Sequence, residues 1–87
     1  MAQVEFALPT VAKLALLDDA VPGAAALIRH ATTILEAHPL IGRPVELGLR
    51  ELVISSGKTG YVALYRFRSA AQLILILAVR HQREAGY

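Results

Sequence analysis

The side chains able to do chemistry in this sequence are few, and they gather in its second half. Glu51 could take a proton as a general base, and His81 carries an imidazole that could serve as acid or base. Arg50, Arg66, Arg80 and Arg83 carry planar guanidinium forks suited to phosphate or carboxylate. Tyr87 offers a ring that could stack on a nucleobase. There is no cysteine, so thiolate nucleophiles, thiolate metal sites and disulfides are excluded, and neither metal nor cofactor is expected. Each candidate also has a plainer reading. Glu51 beside Arg50 reads as an exposed ion pair of little worth. Arg66 shares an alternation face with Val62 and Leu64 and reads as a rim residue. Arg80 falls at a strand end on the face of Ile74 and Ile76. His81 reads as a surface residue of a polar tail, and Tyr87 as a disordered last residue. His30 and His38 read as exposed polar positions on and after a helix.

The elements that position these residues follow from periodicity and punctuation. Val4–Leu8 begins as a short alternating strand. Pro9 suits a first helical turn, and Val11, Leu14 and Leu17 follow at helical spacing up to Asp18 and Asp19. Asp19 reads as the start signal for a second helix, over Ala24–Ala37, with an apolar stripe of Leu27, Ala31, Ile34 and Leu35. His38-Pro39 stops it. Residues 39–48, with two prolines and two glycines, read as a loop. Three strands follow, Leu49–Ile54, Tyr61–Phe67 and Leu73–Val79, joined by a turn at Ser55–Gly60 and a tight connection at Arg68–Gln72. The order is β-α-α-β-β-β. It is an α+β fold, with an N-terminal strand and an α-hairpin packed on a small antiparallel sheet, in one domain spanning residues 1–87.

Composition then raises a question of cover. Hydrophobic residues make up 55% of the 87, charged residues 18%, and mean hydropathy is +0.49, which excludes a disordered chain. The longest apolar run, Leu73–Val79, is too short to span a bilayer and ends at Arg80. No secretory signal is legible at Met1–Phe6, so the expected location is the cytoplasm, with no membrane partner. Two helices cover one face of a sheet, yet all three strands are apolar on both. The C-terminal tail reads as too short to help, which leaves a partner segment to cover the second face. Charge is also uneven. Residues 1–42 set Lys13 and Arg29 against Glu5, Asp18, Asp19 and Glu36, net −2. Residues 43–87 set six arginines and Lys58 against Glu46, Glu51 and Glu84, net +4. The second half therefore offers an arginine-bearing surface to something acidic.

Four stretches taken together carry a resemblance: Gly42-Arg43-Pro44, Gly48–Ile54, Gly60–Arg66 and Leu77–Glu84. In that order they resemble the RelE/ParE family of bacterial toxins, across nearly the whole chain. The resemblance implies the toxin of a type II toxin–antitoxin pair, held inactive by a cognate antitoxin that also supplies operator DNA binding. It implies one of two targets. A ParE-like toxin arrests growth by binding DNA gyrase without chemistry of its own. A RelE-like toxin cleaves ribosome-bound mRNA without metal, and Glu51, Arg66, Arg80 and His81 would then be the catalytic set. Only two lysines, Lys13 and Lys58, are present, and neither sits in a second-half strand. The dense basic set of RelE-like nucleases is therefore missing, and the Arg80-His81-Gln82-Arg83 ending is closer to ParE-like sequences. The reading leans to gyrase. Arg50, Arg83 and Tyr87 are expected to bind the target. Leu52, Ile54, Leu73 and Leu75 are expected to bind the antitoxin on the second sheet face.

Overall fold

The computed structural model describes residues 1–54, 60–84 and 87. Strand β1 (Gln3–Phe6) leads into helix α1 (Leu8–Ala20), helix α2 (Ala24–Thr32) and a single turn α3 (Ile34–Ala37). The remaining strands are β2 (Arg43–Pro44), β3 (Arg50–Ile54), β4 (Tyr61–Arg68) and β5 (Leu73–His81). One five-stranded sheet has the order β1-β5-β4-β3-β2. Its neighbours from β2 to β5 are antiparallel, and β1 joins β5 in parallel, so the sheet is mixed. The α+β reading stands. The short β2 lies inside the stretch read as a loop. Residues 55–59 of the turn expected at Ser55–Gly60 lie outside the described residues.

Pro9 sits in the first turn of α1, where its missing N–H costs nothing. The α1–α2 corner is tied by Asp18, whose Oδ1 accepts the backbone N–H groups of Gly23 and Ala25, both at 3.1 Å. Asp18, not the expected Asp19, is the capping residue, because α1 runs on to Ala20 and Gly23 takes a left-handed φ of 95°. The buried stripe is also displaced from the expected one. Ala24, Ile28, Thr32 and Leu35 point inward, while Leu27 and Ile34 are 41% and 42% exposed. The inward residues fall at i, i+4, i+8 and i+11, one continuous helical stripe that runs on through Thr33, whose φ of −63° and ψ of −23° stay helical between α2 and α3. Thr32 tolerates burial because its hydroxyl donates to the Arg29 carbonyl at 2.9 Å.

The helices pack on the sheet through Leu14, Ile28 and Leu35 against Ile54, Tyr61, Ala63, Tyr65, Ile74, Ile76 and Val79. Burial of each large aliphatic side chain stabilises by about 1.5–3 kcal/mol. Tyr65 is fully buried and its hydroxyl is used twice, accepting from the Gly42 N–H (2.9 Å) and donating to the Pro39 carbonyl (2.8 Å). That bridge fixes the 39–42 segment to β4. Arg50 holds the same segment, donating to the carbonyls of Leu40 (3.1 Å) and Gly42 (2.7 Å). Among the described residues no helix is long and apolar enough to cross a membrane.

Candidate functional site

Strand register decides which candidates meet. In β3 and β4, Glu51 pairs with Leu64 and Val53 with Val62, which places all four on the face away from the helices, together with Arg66. In β5, Leu64 opposes Ala78 but Tyr65 opposes Ile76, so Leu77 is an extra residue. This bulge inverts the alternation of β5. Ile74 and Ile76 face the helices, and so do Val79 and His81 beyond the bulge. Leu73, Leu75, Ala78 and Arg80 face the open side. The expectation that Arg80 shares a face with Ile74 and Ile76 is thereby corrected. Thr10, fully buried on α1, donates its hydroxyl to the Ile76 carbonyl beside the bulge at 3.1 Å.

Glu51 lies on the open face, on β3 next to the edge strand β2, and is only 8% exposed. It does not pair with Arg50, which lies on the other face; the expected exposed pair does not form. Its Oε1 accepts from Arg43 Nη2 (2.7 Å) and Nε (3.0 Å), across the β2–β3 ladder. Its Oε2 accepts the hydroxyl of Tyr87 at 2.7 Å. The Tyr87 hydrogen bond, then that of Arg43, and the Arg43 and Arg80 charges hold the carboxyl below its ordinary value, against the opposing effect of burial. Burial first, and the Glu51 bond and charge next, push the Tyr87 phenol up to about 12. Tyr87 is therefore seated over the open face, and the tail that reads as too short does reach it. The Arg80 guanidinium lies 5.1 Å from the Tyr87 ring centroid. Its Nη1 also donates to the carbonyls of His81, Gln82 and Glu84 at 3.1–3.3 Å.

His81 is on the helix side, edge-on to Tyr61 with centroids 5.4 Å apart. Its Nδ1 accepts the Arg83 N–H at 3.1 Å. Glu84 accepts from the His81 N–H and from Lys13 Nζ (3.0 Å), tying the residues after β5 to α1. Arg83 is exposed. Of the set Glu51, Arg66, Arg80 and His81, the fold gathers the first three on one face and turns His81 to the other. Among the residues expected to meet an antitoxin on the open face, Leu73 and Leu75 are there, half-buried. Leu52 and Ile54 are not: they pair with Ala63 and Tyr61 on the helix side, and Ile54 is core at 2% exposure. The reason is parity, since β3 opens with Arg50 facing the helix side.

Arg43 and Leu47 are the residues that sequence reasoning passed over. Arg43 had a signal, since it stands eight residues before Glu51 across a Pro-containing segment. Leu47 had none. It adopts φ 61° and ψ 28°, a left-handed conformation that costs a non-glycine residue about 1–2 kcal/mol, and it is 83% exposed. Arg66 Nη2 approaches its carbonyl at 3.4 Å. A groove of about 510 Å³ runs between the 45–49 segment and Tyr87. A second, of about 320 Å³, lies on the other side of Tyr87 against α1 and the bulge.

Fold and site together define a small α+β domain with one helix-covered sheet face and one arginine-bearing face. Residues 4–86 match the family described as the ParE toxin of the type II toxin–antitoxin system, parDE. The chain belongs to this ParE toxin family. Among solved structures it is similar to a chain of the intact E. coli RelBE toxin–antitoxin complex. The TM-score is 0.76 at 9% identity, over 97% of this chain and all of that one. It is also similar to a chain of the RelBE2 toxin–antitoxin complex from Mycobacterium tuberculosis, with a TM-score of 0.69 at 26% identity. That match covers 93% of this chain and 98% of the other. No curated protein sequence matches it significantly.

Proposed function

We propose that this chain arrests bacterial growth from the cytoplasm by binding DNA gyrase, and that a cognate antitoxin neutralises it and supplies operator DNA binding. The single observation that carries the gyrase reading is the separation of the candidate catalytic groups. His81 lies on the opposite face of β5 from Arg80, and the Glu51 carboxylate is engaged by Arg43 and Tyr87. A carboxylate held below its ordinary pKa by two donors is a weak base for a 2′-hydroxyl. What the open face offers instead is a set of cationic forks and apolar edges for a macromolecular surface. Family membership supports the toxin reading, and the two similar complexes support an antitoxin partner. The test is induced expression in a plasmid-bearing bacterium. Arrest with relaxed plasmid, relieved by co-expressing the neighbouring reading frame, is expected; arrest with normally supercoiled plasmid rejects gyrase as the target.

A second reading is ribosome-dependent mRNA cleavage. The one observation that favours it is that Arg66 and Arg80 share a face with Glu51. It requires new 5′ ends on translated mRNA after induction, read by primer extension.

A further inference from the structure

Helix α1 is apolar on two faces. Thr10 and Leu14 face the sheet and are buried. Leu8, Val11, Ala12, Ala15, Leu16 and Asp19 follow one another at i, i+3, i+4, i+7, i+8 and i+11, and form a second stripe on the outer side. Leu8 is 84% exposed, Leu16 65% and Val11 40%. A surface helix ordinarily turns charged and polar side chains outward. This stripe carries none before Asp19. Lys13 lies off it, half-buried and paired with Glu84 at 3.0 Å.

Charge at the two ends of α1 selects what covers the stripe. Asp19 stands in the last turn, where a carboxylate opposes the helix dipole. Among the described residues it has no hydrogen-bond or ion-pair partner, whereas its neighbour Asp18 caps α2. The first turn of α1 has the complementary deficit: no side-chain cap and no acidic residue. A second α1 laid antiparallel across the first answers both ends at once. In the register that sets Leu8 against Asp19, Val11 meets Leu16 and Ala12 meets Ala15. The apolar flanks then touch, and the alanines let the helix axes approach to about 8 Å. Each Asp19 reaches the first turn of the other copy, where the dipole favours it. The contact is isologous, so it closes at two copies. A nucleic acid or an anionic membrane fits poorly, because its phosphates find no cation on the stripe and meet Asp19.

We propose that two copies of this chain pair through the outer face of α1, antiparallel, with Ala12 and Ala15 at the centre of the contact. The inference does not depend on the toxin reading. Because α1 lies on the helix side of the sheet, the pair leaves both arginine-bearing faces uncovered and presents two binding surfaces at once. A helix of 13 residues is about 20 Å long. Such a contact is at the small end of specific interfaces, so a dissociation constant on the order of 10–100 µM is expected.

Sedimentation equilibrium of the purified full chain, from micromolar to millimolar concentration, reads that constant, with Tm as the check on folding. Wild type is expected to pass from monomer to dimer across the range. Ala15→Glu keeps a helix former at an exposed position, so Tm should hold while the dissociation constant rises at least tenfold. Leu16→Glu should weaken pairing as much. Adding Val11→Lys to it should recover most of the loss, because the antiparallel register sets Val11 of one copy against Leu16 of the other. Leu40→Asn, an exposed apolar residue beyond α3, is the control and should stay within twofold of wild type. A chain that stays monomeric at millimolar concentration overturns the inference. So does a dimer unmoved by Ala15→Glu, an equal loss in Leu40→Asn, or a Leu16→Glu loss that Val11→Lys does not recover. So does a monomeric chain whose binding to the neighbouring reading frame's product falls in Ala15→Glu, which would give the stripe to that product instead.

Discussion

Glu51→Gln separates a structural carboxylate from a catalytic one. In the wild type, Oε1 receives two N–H groups of Arg43 and Oε2 receives the Tyr87 hydroxyl. The Arg43 side chain is 70% exposed, so this ion pair is worth about 0–1 kcal/mol. The Tyr87 bond has a charged acceptor, but Tyr87 is 53% exposed, which puts its worth at about 1 kcal/mol. Glutamine keeps an acceptor toward Arg43, and the phenol can turn to accept from the amide. The net loss is therefore about 1 kcal/mol at neutral pH, or roughly 4–8 °C in Tm for a domain of this size. The pH dependence has a fixed sign. A folded-state pKa held below the ordinary 4.5 contributes stability above that value and loses it as pH falls through the lower folded value. The gap between wild type and variant should be full at pH 7 and close progressively below about pH 4.5. Thermal melts at stepped pH measure the gap. Absorbance titration against a Tyr87→Phe reference measures the phenol, whose pKa should drop from about 12 only part of the way, because burial remains. A gap independent of pH, together with an unmoved phenol, would refute the clasp. Loss of growth arrest in a folded Glu51→Gln chain would instead make Glu51 a catalytic base.

Three further expectations concern the framework. Tyr65→Phe removes a hydroxyl that serves both the buried Gly42 N–H and the Pro39 carbonyl, and should cost about 2–3 kcal/mol in urea unfolding. Gly42→Ala would place a Cβ 2.6 Å from the Tyr65 hydroxyl and 2.7 Å from the Glu51 carbonyl, so a loss of about 3 kcal/mol is expected in the same assay. Asp18→Ala should cost about 1 kcal/mol by removing the cap on Gly23 and Ala25, and Asp19→Ala close to nothing; equal effects would restore Asp19 as the cap.

Much of the architecture was legible because periodicity and punctuation agree. Pro9, the Asp18–Pro22 corner, His38-Pro39 and three apolar runs locate both helices and β3, β4 and β5. The parts that were not legible fail for physical reasons. A run such as Leu73–Val79 is apolar on both faces, so alternation cannot reveal an extra residue at Leu77, and the side on which Arg80 emerges is lost with it. The second helix offers two overlapping apolar stripes, and packing selects the one through Ala24, Ile28, Thr32 and Leu35, which leaves Leu27 outside. The partner of Glu51 proved to be Arg43, eight residues away across a ladder, rather than its neighbour Arg50, because adjacent strand residues point to opposite faces. Tyr87 carried no periodic signal at all, and only the fold shows that it lies against Glu51. The uncovered sheet face was the most useful inference from composition. Its lining differed from the expected one, with Leu73 and Leu75 present and Leu52 and Ile54 turned to the core.

The central claim is that the arginine-bearing face binds gyrase and performs no chemistry. It is tested most directly by supercoiling of relaxed plasmid by purified gyrase, titrated with the purified chain. The account predicts inhibition that saturates near stoichiometric toxin, is reversed by the antitoxin, and weakens when Arg66 or Arg68, both on that face, is replaced by glutamine. Full supercoiling at a large excess of folded toxin would contradict it.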